Sequence, residues 1–308
     1  MILVDFSQVL YSSVIVEFGK DFTKPKTALS EEEETILLGQ RTGLVKHMIL
    51  SSLLSYKKKF SKYGELVLAI DNKTYWRKDV FPLYKGHRAR DRETSDIDWK
   101  TLFKIIEEVK SDLKETFPYR MVDVKNAEAD DVIACLVKYL QTNNLNGDSM
   151  FEGEAQDIMI VSSDTDFFQL QKYKNVKQWS PQQRKFVTYP SVYKYMIEHI
   201  CGGDAGDGIP NIMSADNCIF DKIRQTGFKK ARLEEFYEKD IEACNTPLEK
   251  ERYKRNEILI DFSFIPADIY TNVIAEFESQ KPTKSVNIII NYMMKNKMKL
   301  LLQSAGEF

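Results

Sequence analysis

The sequence predicts an α/β fold: a central, mostly parallel sheet flanked by helices, followed by a helical C-terminal region. Three observations predict it. Apolar, β-rich runs at 2–4, 66–70 and 158–161 have the length and composition of strands buried on both faces. These runs alternate with longer stretches of helical periodicity, the pattern of parallel strands joined by crossover helices. An acid stands just past each run: Asp5, Asp71 and Asp164. In an open α/β sheet, ligands bind beyond the carboxyl ends of the strands, so these acids point into one crevice.

The elements follow in order. After the strand at 2–4 comes a helix near 7–18, then a loop at 20–30 containing Pro25. Glu31-Glu32-Glu33-Glu34 opens a helix reaching about residue 60. Ser30 is its N-cap, Glu33 stands at capping-box spacing, and the acidic first turn suits the positive end of the helix. A strand at 65–70 ends at Asp71, and residues 72–96 are aromatic and basic with weak periodicity. Ile97, Leu102, Ile105, Ile106, Val109 and Leu113 mark an amphipathic helix that stops before Pro118. A short strand at 119–122, a helix near 128–141, a polar loop at 142–156 and the strand at 158–161 follow. Short strands at 176–179 and 185–188 flank a Pro181 turn, and the remainder is mostly helical apart from the glycine-rich 202–210 segment. The expected division is 1–190, an α/β core, and 191–308, a helical region carrying a loop at 202–213.

Composition narrows the function. No apolar stretch approaches a membrane span of about 20 residues, and the N-terminus has no signal pattern. The four cysteines are scattered with no C-x-x-C pair, which excludes a zinc ribbon or disulfide framework and suits a reducing cytosol. The net charge is −2, but the charge is uneven. Removing nine clustered acids from that sum leaves +7, with basic groups at Lys57-Lys58-Lys59, Lys85 to Arg92, Lys222 to Arg232 and near the C-terminus. A basic surface around an acidic pocket suits a polyanionic partner; the competing reading of the lysine runs is a set of solvated helix faces.

The nine acids fall in five clusters: Asp5; Asp71; Glu128, Asp130 and Asp131; Asp164 and Asp166; Asp204 and Asp207. Each cluster alone has a plain explanation, such as an N-cap or a flexible loop. Their conjunction at strand ends and tight turns does not. Carboxylates sharing a crevice disfavour one another's ionisation. Hard divalent cations with oxygen ligands relieve that cost, Mg²⁺ being usual where phosphate is the substrate. The pattern points to two-metal phosphodiester chemistry. Beside it, Pro82-Leu83-Tyr84-Lys85-Gly86-His87-Arg88 places cations where they can hold a phosphate. Tyr75, Trp76 and Tyr84 are placed to stack on bases, or, for Tyr75 and Trp76, equally to pack in the core. His47, His87 and His199 share no spacing that signals a histidine site.

These residues, taken in order, resemble the flap endonuclease (5′ nuclease) family and its phage members. The likeness rests on Asp5, Asp71, the 82–88 segment, Glu128-Ala129-Asp130-Asp131, Ser163-Asp164-Thr165-Asp166 and Gly203-Asp204-Ala205-Gly206-Asp207. It extends to Trp76-Arg77-Lys78-Asp79, Val176 to Pro181, and Leu259 to Phe262 with Ile265-Pro266, and so spans nearly the whole chain. The resemblance implies two Mg²⁺ ions, replaceable by Mn²⁺. Asp5, Asp71, Asp130 and Asp164 would gather round the first, and Asp166, Asp204 and Asp207 would serve the second, directly or through water. Glu128 and Asp131 would be shared or stand behind them. Lys85 and Arg88 would contact the reacting phosphate at the base of an arch, 72–96, with Tyr84, Arg90 and Arg92 also on nucleic acid. It implies a monomer with 5′ exonuclease, flap endonuclease and ribonuclease H activity on DNA and RNA–DNA hybrids bearing a free 5′ end, removing primers in replication. A sliding clamp and a single-strand DNA-binding protein would be partners, in the cytoplasm (the host's, for a phage protein). The chain departs from the family at Gly208-Ile209-Pro210-Asn211-Ile212-Met213, which keeps only part of the G-x-x-G-I-G hairpin that grips duplex backbone. The competing functions are a PIN-type ribonuclease, which is usually shorter, and a non-catalytic replication scaffold, which would have no reason to keep nine repelling acids.

Overall fold

The computed structural model describes residues 1–18, 23, 30–145 and 156–308. Six strands form one sheet: β1 (Ile2–Asp5), β2 (Leu66–Ala69), β3 (Arg120–Val122), β4 (Ile158–Val161), β5 (Val176–Ser180) and β6 (Lys185–Val187), in the order β3-β2-β1-β4-β5-β6. The first five are mutually parallel, and β6 pairs antiparallel with β5 at the edge. All residues of β1, β2 and β4 are buried, which is why their sequences are continuous apolar runs rather than alternating ones. The period-two pleat sorts them between two cores. Ile2, Val4, Leu66, Leu68 and Val161 face one, with the first long helices. Leu3, Val67, Ile158 and Ile160 face the other.

Twelve helices surround the sheet among the described residues: α1 (Phe6–Phe18), α2 (Glu31–Lys59), α3 (Arg77–Val80), α4 (Gly86–Glu93), α5 (Trp99–Thr116), α6 (Ala129–Leu145), α7 (Val192–Gly202), α8 (Lys230–Lys239), α9 (Pro247–Ile260), α10 (Ala267–Ser279), α11 (Val286–Lys295) and α12 (Lys299–Leu302). The expected capping box opens α2: Ser30 Oγ accepts from Glu33 N, and Glu33 Oε2 accepts from Ser30 N at 2.8 Å. Helix α5 starts on Asp98, whose side chain accepts from Thr101 N, and ends before Pro118. Helix α6 runs past its expected end at 141 to Leu145. Residues 146–155 of the loop expected at 142–156, and most of the one expected at 20–30, lie outside the described residues.

The helices after residue 191 contribute to all three apolar clusters. Ile289 to Phe308 close the first and α10 the second. The third joins α7 and α9 to Phe81 and Tyr84. That last cluster gives the 72–96 segment, whose weak periodicity marks no buried face, its apolar anchors. Trp76, Phe81 and Tyr84 are buried, and only α4 has no buried residue. Cys135, Cys201, Cys218 and Cys244 are free. Among the described residues no helix is long and apolar enough to cross a membrane.

Candidate active site

The chain leaves β1 toward β2 and β3 on one side, and β4 to β6 lie on the other, so the strand order reverses between β1 and β4. The crevice at such a switch point is where open α/β sheets bind ligands. Asp5 closes β1, Asp71 follows β2, Asp164 follows β4, and Asp130 sits in the first turn of α6. Asp71 Oδ1 accepts the Ala129 N–H at 2.8 Å, which ties the loop after β2 to the start of α6. Asp166, Asp204 and Asp207 arrive from the turns after β4 and α7. These seven carboxylates line one cavity of about 1060 Å³.

Loop 203–208 is held in place from both sides. Gly203 has φ +66°, and a Cβ there would lie 2.3 Å from the Ile209 carbonyl, so glycine is required. Asp204 Oδ1 accepts from Gly206 N at 2.7 Å and Asp207 N at 3.2 Å. The Asp207 carbonyl accepts from Lys85 N at 2.7 Å, and Lys85 itself takes the left-handed conformation at φ 53°.

Charge in the cavity is unevenly relieved. Burial, then the Asp71 charge, pushes Asp5 up to about 6, although Gln8 N and Ser162 Oγ donate to it at 3.1 and 3.0 Å. Burial and the neighbouring Asp164 and Asp5 hold Asp130 well above the carboxylate range. Burial and Asp166 push Asp164 up to about 7. Burial, Asp207 and Asp166 raise Asp204. Asp207 goes the other way. Burial raises it, but Lys85 and Arg88, with the Tyr84 hydroxyl at 2.7 Å, outweigh that and leave it depressed. A crowd of oxygen donors that resists ionisation fits a hard divalent cation.

The structure separates two of the nine acids from that cavity. Glu128 is 1% exposed and Asp131 is 0% exposed. Both pair with the buried Arg77 at 2.9 Å behind the cavity wall. Trp76 Nε1 donates to Asp131 at 3.1 Å, and Glu128 also receives Lys85 Nζ and the Tyr84 hydroxyl. Their chemistry is that of an internal ion-pair network which aims Lys85. Lys85 and Arg88 do line the cavity, with Arg88 2.6 Å from Asp207. Burial would lower the Lys85 proton affinity, but Asp207 and Glu128 raise it, so the ammonium stays charged.

Tyr84 differs from expectation: at 1% exposure no base can reach its ring, and its hydroxyl instead bridges Glu128 and Asp207. Arg90 and Arg92 lie further along α4, over Phe220 and Phe103. Two participants were not legible in the sequence. Arg77 carried no charge pattern that marked it. His199, on α7, brings Nε2 to 2.9 Å from Asp166 Oδ1. With Asp204 these residues offer three ligand atoms within 4.8 Å of one another. Burial would lower the His199 proton affinity; Asp166, then Asp204 and Asp164, more than reverse that.

An open sheet with seven carboxylates crowded at its switch point and two cations beside them is the arrangement expected of a metal-dependent nuclease. The chain belongs to the 5′–3′ exonuclease family. Residues 2–196 match the 5′-3′ exonuclease N-terminal resolvase-like domain, and residues 192–308 match the T4 RNase H C-terminal domain. It is 35% identical over 318 residues to Ribonuclease H of Enterobacteria phage T4, covering 99% of this chain and 95% of that protein. Among solved structures, the T5 D15 protein co-crystallised with metal ions matches with TM-score 0.60 and 16% identity, over 90% of this chain and 98% of that one. The bacteriophage T5 D15 flap endonuclease in complex with DNA and metal ions matches over the same shares, with TM-score 0.57 and 16% identity. At that identity the two structures speak for the fold.

Proposed function

We propose that this protein is a Mg²⁺-dependent, structure-specific 5′ nuclease. It acts as a 5′ to 3′ exonuclease and flap endonuclease on DNA and RNA–DNA hybrids, and removes the RNA primers of lagging-strand fragments. The observation that carries the reading is the gathering of seven carboxylates round one cavity with Lys85 and Arg88 on its rim. Asp5, Asp71, Asp130 and Asp164 would hold one ion; Asp166, Asp204 and Asp207, beside His199, would hold a second, with Mn²⁺ an acceptable substitute. When bound, such ions lower the pKa of water and stabilise charge on the attacking and leaving oxygens. The chain's own part is positional. Lys85 stays protonated between Glu128 and Asp207, and its Nζ with the Arg88 guanidinium can take the non-bridging oxygens of the scissile phosphate as charge grows there. Glu128 keeps Lys85 aimed, Asp131 holds Arg77 against Glu128, and neither acid competes for the ions. Arg90 and Arg92 extend the cationic face of α4 toward the 5′ strand. A sliding clamp and a single-strand DNA-binding protein fit the replication role, and a monomer suffices for the site. The relationship to Ribonuclease H of phage T4 supports the hybrid substrate.

The test is cleavage of a 5′-labelled flap, and of a blunt RNA–DNA hybrid, in Mg²⁺ and in chelator. Mg²⁺-dependent release of 5′ products from both is expected. Cleavage that persists in chelator, or that ignores the 5′ end and cuts single-stranded RNA internally, would overturn the proposal in favour of a metal-free or PIN-type enzyme.

A further inference from the structure

The acidic cavity does not end at the carboxylates. It runs along α2 past Ser51, Ser52 and Ser55 to Lys59, which also lines a second cavity of about 860 Å³. This second groove lies between the end of α2 and the β5–β6 hairpin. Four lysines line it, Lys59, Lys62, Lys174 and Lys177, and no carboxylate does. Neighbouring Lys58 is paired with Glu307, but among the described residues none of these four meets an acid. Unneutralised cations gathered in one groove of a chain with net charge −2 mark a place where a polyanion is expected.

The groove also offers an aromatic platform. Phe186 is 53% exposed on the edge strand β6, an unusual cost for so large a ring. It is held edge-on by Trp179 at 5.2 Å and Phe60 at 6.3 Å. Lys59 Nζ sits 3.0 Å over the Trp179 ring at the point where the two cavities meet. Cations alternating with a supported, exposed ring are the equipment of a single-strand binder: lysines follow the phosphates and the ring stacks a base. Duplex DNA would use the lysines but not Phe186, because its bases are already stacked on one another. A protein segment pairing with β6 is the weaker occupant, since that strand has only three residues and a peptide would leave four lysines unanswered.

We propose that this groove is a track for single-stranded nucleic acid, continuous with the cleavage cavity through Lys59 and on the far side of it from α4. The track rests on the nuclease reading only for what lies at its other end. Its own test is equilibrium binding, in chelator, of a fluorescein-labelled oligothymidine about 12 nucleotides long. Phe186→Ala should weaken binding about tenfold, as loss of one stacked base does, and Phe186→Trp should restore it. Lys62→Ala with Lys177→Ala should lower the slope of log affinity against log salt by about 1.4, two phosphates' worth for a single strand. Unchanged affinity in Phe186→Ala together with an unchanged salt slope in the lysine pair would overturn the track, whatever else then occupies the groove. Failure of the wild-type protein to cleave the flap, with these binding losses intact, would instead overturn the nuclease reading and leave the track standing.

Discussion

Asp5→Asn should stabilise the metal-free protein while disabling it. Asp5 is buried, and its proton affinity rises from 3.8 to about 6. In the unfolded chain it ionises near 3.8. Between those values the folded state therefore holds the proton that the unfolded state releases, and stability falls as pH rises through the window. At about 1.4 kcal/mol per pH unit, the ionised side chain costs the fold about 3 kcal/mol at pH 8, and about half of that at pH 5. Asparagine mimics the neutral form: its oxygen can accept from Gln8 N, and its amide can donate to Ser162 Oγ, the two partners Asp5 has now. The variant should melt roughly 6 °C higher than wild type at pH 8 in chelator, at about 2 °C per kcal/mol for a chain of this size. The gap should shrink to about half at pH 5. Adding Mg²⁺ to about 100 times its dissociation constant should raise the wild type by about 2.7 kcal/mol and the variant by much less. Calorimetric melts at pH 5, 6.5 and 8, with and without Mg²⁺, measure all three effects. A variant that melts lower than wild type in chelator at pH 8, or a gap that does not change with pH, would refute the reasoning.

Asp130→Asn and Asp164→Asn should each lower cleavage more than tenfold, since each removes a cavity-facing carboxylate oxygen from the proposed ion site, with flap affinity little changed because the cations remain; turnover above a tenth of wild type in both would count against the site. Lys85→Ala should slow single-turnover cleavage at saturating enzyme more than it weakens binding, because its charge acts on the transition state; an unchanged rate with poorer affinity would make Lys85 a tether. Arg77→Ala leaves Asp131 buried without a cation and Glu128 with Lys85 alone, and should cost about 3–5 kcal/mol in urea unfolding; a loss under 1 kcal/mol would show that the network carries little. Trypsin should cut free protein within α4, at Arg88 to Arg92, faster than it cuts a catalytically inactive variant bound to a flap, because α4 buries none of its residues. Equal resistance in both states would remove α4 from the strand path.

The buried strands and the acids that follow them were legible because both are local. A short apolar run with an Asp at its end or within three residues after it states a buried strand and what stands at its mouth, and β1, β2 and β4 are such runs. The capping box of α2 and the stop of α5 before Pro118 were legible for the same reason, since caps depend on neighbours three or four residues apart. The strand order, with β1 at its centre, was not, because pairing depends on contacts across more than sixty residues of chain, as between Ile2 and Leu66. By residue type and spacing the nine acids are equivalent in sequence, and only the family resemblance sets Glu128 and Asp131 apart. Burial made the difference: Arg77 drew Glu128 and Asp131 behind the wall, and the other seven were left facing the cavity. Tyr84 sat in a basic, aromatic stretch that suggested a surface, and the apolar cluster with Ile197, Ile200 and Ile209 took it inside. His199 carried no spacing signal, because its partner Asp166 lies 33 positions away and only the packing of α7 on the turn after β4 brings the two together. Which acids face the cavity, and which are held behind its wall, is decided by where distant side chains desolvate one another. One-dimensional spacing does not encode that.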